Sequence, residues 1–130
     1  MPNAKSVLIL SPDQQSRDKI VASVRKFNLD ERCCSDCGEA RKLLQRHKFD
    51  IVLCSDSLAD GKYVDVITAA RPVPVVVFSR LADWGPYVAA LDAGAFDYVS
   101  CPPDTHELDR IVASALDKNP CLAARAASAP

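Results

Sequence analysis

Charge of a single sign is what this chain most plainly lacks. Its 130 residues hold 16 Lys and Arg against 17 Asp and Glu, a formal net charge of -1, which offers no electrostatic case for nucleic acid or an anionic membrane surface. The basic residues are scattered, and no basic stretch with interleaved aromatics occurs. Long apolar runs are missing too; none approaches the ~20 residues of a membrane span. Met1-Pro2-Asn3-Ala4-Lys5 has neither the charged nor the apolar region of an export signal. No nucleic acid, no membrane and a cytoplasmic location are therefore the expectations. No internal repeat is visible.

What is there suits one globular domain. Apolar residues make up 48% and charged residues 25%, and a chain of this length buries about two-thirds of its unfolded surface. Six cysteines are many for such a chain: Cys33, Cys34, Cys37, Cys54, Cys101 and Cys121. Without an export signal, reduced thiols packed as small hydrophobes are expected rather than a disulfide framework. Cys33, Cys34 and Cys37 lack the paired CxxC knuckles of a structural zinc site, and strand alternation would separate Cys33 from Cys34.

Apolar runs rich in β-branched residues alternate with helical patterns, five times over. Val7 to Leu10, a weaker Arg32 to Cys34, Ile51 to Cys54, Val75 to Phe78 and Tyr98 to Ser100 read as strands. Between them, Ile20, Val21, Val24 and Phe27 mark a first helix, and Gly38 to Lys48 a second. Val64 and Ile67 mark a short third, stopped by Pro72 and Pro74. Pro86 suits the first turn of a fourth, which closes at Gly94. Asp104-Thr105-His106-Glu107 reads as a capping box before a fifth helix carrying Leu108, Ile111, Val112 and Leu116. After Lys118, Asn119-Pro120 breaks the pattern; a domain over 1–118 and a loose tail over 119–130 are expected, with no room for an output domain. The alternation implies a parallel sheet with helices on both faces. Ligands in such sheets bind beyond the carboxyl ends of the strands. The residues there are Ser11-Pro12-Asp13, Ser55-Asp56, Ser79-Arg80 and Cys101-Pro102.

Asp50-Ile51-Val52-Leu53-Cys54-Ser55, Leu58-Ala59-Asp60-Gly61 and Ala93-Gly94-Ala95-Phe96-Asp97-Tyr98, followed by Pro102, stand in order at characteristic spacing. Over roughly Val7 to Lys118 the chain resembles the response-regulator receiver domains of the chemotaxis type. The resemblance implies a flavodoxin-like α/β fold, a three-layer sandwich of five βα units around a five-stranded parallel sheet. It also implies a chemistry in which acidic residues after the first strand and an aspartate after the third hold Mg²⁺. That aspartate takes a phosphoryl group, a lysine neutralises it, and a Ser or Thr after the fourth strand signals to an aromatic on the fifth.

Carried over residue by residue, the periphery is kept and the centre is lost. Ser79 matches the hydroxyl position and Tyr98 the aromatic switch, while Asp13 remains of an acidic pocket whose other positions are Ser11 and Pro12. Ser55 falls on the phosphoacceptor position and Cys101 replaces the lysine. A serine forms no acyl phosphate, Pro12 has no side-chain oxygen, and Cys101 brings no fixed positive charge. The expectation is a degenerate, stand-alone receiver, not an enzyme, acting by protein–protein interaction without aspartyl phosphorylation, metal or cofactor. Its partner would be a histidine kinase or an output protein. A homodimer through the face of the fourth helix, fifth strand and fifth helix is the other expected contact, and Trp84 either anchors a partner or covers the core edge. Two alternatives stand beside this reading. One is phosphorylation of Asp56, with Mg²⁺ at Asp13, although strand alternation aims Asp56 away from a site that Ser55 faces. The other is a thiol redox sensor at Cys101, with Cys54 at the end of a neighbouring strand. Arg80 and Asp83 are expected to be a solvated loop.

Overall fold

Short runs of Val, Ile and Leu with no polar interruption can settle only where both faces are covered, and that requirement organises the chain. The computed structural model describes residues 5–58, 60–80, 83–100 and 105–117. Five strands alternate with five helices: β1 (Ser6–Leu10), α1 (Gln14–Val24), β2 (Asp30–Cys34), α2 (Cys37–Arg46), β3 (Ile51–Ser55), α3 (Tyr63–Ala70), β4 (Val75–Ser79), α4 (Trp84–Asp92), β5 (Asp97–Ser100) and α5 (Thr105–Asp117). All strand pairs are parallel, in the order β2-β1-β3-β4-β5. This is the flavodoxin-like fold that the sequence implies.

Strand alternation divides the apolar side chains between two cores. Leu8, Leu10, Val52, Cys54, Val75 and Val77 meet Ala40 of α2, Val66, Ile67 and Ala70 of α3 and Ala90 of α4. Val7, Ile9, Ile51, Leu53, Val76 and Phe78 meet Ile20 and Val24 of α1 and Leu108, Ile111 and Val112 of α5. Every residue of β3 and β4 is buried, whereas β2, at the sheet edge, buries only Cys34. That exposure explains why β2 begins earlier, at Asp30, than its weak apolar signal suggests.

The helix ends follow local chemistry. Asp13 caps α1 through Ser16 N, and Asp36 caps α2 through Glu39 N. Asp60 adds two bonds to the α2 terminus, accepting from Cys37 N at 2.8 Å and Gly38 N at 3.1 Å. Gly94, at φ 107°, takes the left-handed turn after α4; a Cβ there would lie 3.3 Å from Ile67 Cγ2. α2 starts and ends slightly earlier than its apolar pattern suggests, because Asp36 rather than Gly38 sets its start.

The strand order corrects one expectation. β4 lies between β3 and β5, so Cys54 and the residue after β5 do not end neighbouring strands. Cys101, Asp104 with its half of the capping box, Ala59, and the expected boundary at 118 with the tail over 119–130 lie outside the described residues. Among the described residues no helix is long and apolar enough to cross a membrane.

Leu8 is fully buried on β1, an interior strand of the sheet. Leu8→Ala is expected to cost about 2–5 kcal/mol of stability through lost burial and cavity formation. Val64→Ala, at a position 37% exposed, should stay within about 0.5 kcal/mol. Urea midpoints of the two variants check the contrast.

Candidate functional site

The parallel register brings the carboxyl ends of β1, β3 and β4 to one crest. A cleft of about 280 Å³ opens there, lined by Asp13, Ser16, Ser55, Asp56, Ser57, Phe78, Ser79 and Arg80. After β1 the chain turns on itself. Ser11 Oγ donates to Asp13 O at 3.0 Å and accepts from Asp13 N at 3.3 Å, and Pro12 is exposed. Asp13 Oδ2 accepts from Ser16 N at 3.2 Å, Ser16 Oγ at 2.8 Å and Arg80 Nη2 at 2.7 Å. These donors hold the Asp13 carboxyl below its ordinary value, the Ser16 hydroxyl first, then the Ser16 backbone, with Arg80 adding less.

Ser55 closes β3 and folds its hydroxyl onto its own loop. Its Oγ accepts from Ser57 N at 3.2 Å and donates to Ser57 O at 3.4 Å. Asp56 does not point away, contrary to the expectation from alternation. Its N–H pairs with Phe78 O at 3.0 Å, and its Oδ2 accepts from Ser79 Oγ at 2.7 Å. Alternation holds only within extended chain; β3 ends at Ser55 and the chain bends at Asp56, so both side chains line the cleft. Ser79 in turn hydrogen-bonds the Tyr98 side chain, whose hydroxyl is pushed above its usual range chiefly by burial. Ser79 and Tyr98 are thus in contact, and Asp56 joins them.

Arg80 was unexpected here. Its ion pair with Asp13 spans 67 residues of sequence, a separation no local pattern signals. With Arg80 and Ser16 on one carboxylate and Ser79 on the other, this donor set does not suit Mg²⁺, a hard cation that wants several available oxygens. Ser11 is turned inward on its loop and Pro12 has no donor. Among the described residues no group of three or more His, Cys, Asp or Glu could hold a metal ion.

The thiols are placed for packing. Cys34, Cys37 and Cys54 are buried on the same core side, and Cys33 is exposed. Burial pushes Cys34 up to about 12 and Cys37 up to about 11, the latter with help from Asp60, and Cys54 is raised as well. His47 and His106 are both exposed, on the end of α2 and in the first turn of α5.

An α/β module with a hydroxyl and an aromatic coupled beside a cleft at the strand crest is the arrangement that the resemblance to receiver domains implies. No family model matches the chain. Over 116 residues, 86% of its length, it is 31% identical to the response regulator protein PilR of Pseudomonas aeruginosa. It spans 26% of that relative's length. A CheY-like response regulator receiver domain protein from Methanospirillum hungatei superposes with a TM-score of 0.77 at 21% identity, covering 89% of this chain and 96% of that one. The receiver domain of the sensor histidine kinase PA1611 from Pseudomonas aeruginosa gives 0.77 at 21% identity, over 88% and 98%, and holds a magnesium ion in its cleft. The chain belongs to the response-regulator receiver domains and is a module of two-component signal transduction.

Two outcomes follow from the titrating groups. Asp13 and Asp60 have folded values below the ordinary 3.8, so their contribution is present above that pH and is lost as pH falls through the depressed range. Thermal melting points should therefore fall in that acid window, and Asp60→Asn should flatten the dependence. In the folded protein at neutral pH, Cys37 should react with iodoacetamide about a hundredfold more slowly than an ordinary thiol. Peptide mapping after timed quenching measures this.

Proposed function

We propose that this receiver domain signals by binding a protein partner, without aspartyl phosphorylation and without catalysing a reaction of its own. The observation that carries this reading is the exchange at the end of β3. The acceptor position is Ser55, tied to its own loop, and the neighbouring Asp56 accepts the Ser79 hydroxyl at 2.7 Å. In the family that hydroxyl bonds the phosphoryl group and passes the signal to the aromatic on the fifth strand. Here a carboxylate of the chain itself takes that place, and Ser79 and Tyr98 are already coupled. The arrangement supports a switch whose position is held from within.

The remaining charges favour the same reading. Arg80 supplies a cation to Asp13 at the mouth of the cleft, which quiets the acidic side without a metal. Cys101 brings no positive charge to the lysine position. A histidine kinase, an output protein or a second copy are the partner classes the family suggests, with the face of α4, β5 and α5 as the contact and the cytoplasm as the setting. The co-crystal of the Saccharomyces cerevisiae phosphotransfer protein Ypd1 with the receiver domain of Ssk1, similar in fold at a TM-score of 0.71, illustrates a receiver docking on a signalling protein.

A second reading, phosphorylation of Asp56, draws support from the place of its carboxylate in the cleft beside Ser79. The first is preferred because both carboxylates there are already engaged. The thiol-sensor reading rests on Cys101 alone and gains no support from the raised thiols elsewhere.

Intact mass after incubation with acetyl phosphate and Mg²⁺, beside an ordinary receiver, tests the proposal. The expected result is no gain of about 80 Da while the control is modified. A hydroxylamine-labile adduct that disappears in Asp56→Asn would overturn it in favour of the second reading.

A further inference from the structure

A groove separate from the cleft lies along α4, β5 and the start of α5. It measures about 420 Å³ and is lined by Asp83, Trp84, Tyr87, Tyr98, Ser100 and Glu107. Three aromatic rings line it in series. Trp84 stacks on Tyr87 at 5.5 Å and 26°, and Tyr87 meets Tyr98 edge-on at 6.3 Å and 85°. In such an edge-on pair the edge of one ring meets the face of the other, and ring faces carry negative potential. Trp84 is 75% exposed, so it contributes little to the core and is available to a partner.

The charge of the groove has one sign. Among the described residues, Asp83 and Glu107 are its ionisable side chains besides the tyrosines, and none that lines it is Lys or Arg. Asp83 precedes α4 yet makes no side-chain capping bond. The flanking sequences, Leu81-Ala82 and Cys101-Pro102-Pro103-Asp104, contain no basic residue either. Aromatic faces and carboxylates around one cavity in a chain of balanced charge call for a cation that is both planar and able to donate several hydrogen bonds.

We propose that this groove recognises an arginine side chain presented by a partner protein, its guanidinium stacked on the Trp84–Tyr87 pair and paired with the Asp83 carboxylate. Arginine fits better than lysine. Its flat, weakly hydrated guanidinium stacks on a ring while its fork of donors meets a carboxylate, whereas an ammonium keeps its water and does neither as well. The inference deepens the binding-module reading by naming the partner's chemistry. It also suggests how the cleft is heard at the surface: Asp56, Ser79, Tyr98, Tyr87 and Trp84 form one chain of contacts.

Trp84 is the single tryptophan of the chain, so its emission reports on the groove directly. The full chain is titrated with acetyl-Ala-Arg-Ala-amide, with the citrulline peptide (same shape, no charge) and with the lysine peptide. The arginine peptide should give a saturable change in emission, with affinity at least about tenfold above the citrulline peptide. Lysine should fall between them, and Asp83→Asn should weaken arginine binding several-fold with the melting point unchanged. Equal responses to arginine and citrulline, or no saturable response to any peptide, would overturn the proposal. So would self-association by light scattering that Trp84→Ala abolishes, since it would assign the groove to a second copy. The acetyl phosphate result is independent. Arginine binding together with an Asp56 adduct would sink the phosphorylation-free reading and leave the groove standing, and the reverse pair of results would do the opposite.

Discussion

A parallel sheet covered on both faces leaves no room for polar side chains along its length. β3 and β4 are buried from end to end, and an uncompensated polar group there would cost several kcal/mol. In these two strands the polar side chains are therefore confined to the last residue, Ser55 and Ser79. Parallel register places the stopping points of β1, β3 and β4 side by side, and the cleft at the crest is a consequence. Ser11, Asp13, Ser55, Asp56, Ser79 and Arg80 are scattered through the sequence and meet because three apolar strands, β1, β3 and β4, end side by side.

Within that crest, side-chain identity decides what the module can do. A carboxylate at the end of β3, unengaged and next to a metal, would be a nucleophile. Here the residue is Ser55, and the carboxylate one step later accepts a hydrogen bond from Ser79 instead. Arg80 on Asp13 serves a similar end on the other side of the cleft. Both contacts satisfy negative charge with groups belonging to the chain.

The cysteines illustrate how burial cancels apparent chemistry. Three thiols share one core side, an arrangement that looks reactive on paper, but removal from water disfavours the thiolate that reaction or metal binding would need. The aromatics differ from them. Trp84 is 75% exposed and stacks on Tyr87, which is itself partly buried against the core.

Much of this was legible in the order of residues. Strands declared themselves because Val75 to Phe78 or Ile51 to Cys54 contain nothing that could face water, whereas the caps at Asp13 and Asp36 emerged only with the structure. The departures from the receiver pattern at Ser11, Pro12 and Ser55 were equally plain, since each is a property of one position. Less legible was β2, whose edge position removes the apolar signal. The orientation of Asp56 was hidden altogether: a period-two rule describes extended chain and says nothing of the bend that follows. The Asp13–Arg80 pair, the Asp60 bonds to α2 and the ring series from Trp84 to Tyr98 were invisible for a different reason. Local sequence determines which backbone conformations are cheap and which side chains must be buried; which distant side chains then stand within 3 Å of one another is decided only when the strands take their places in the sheet.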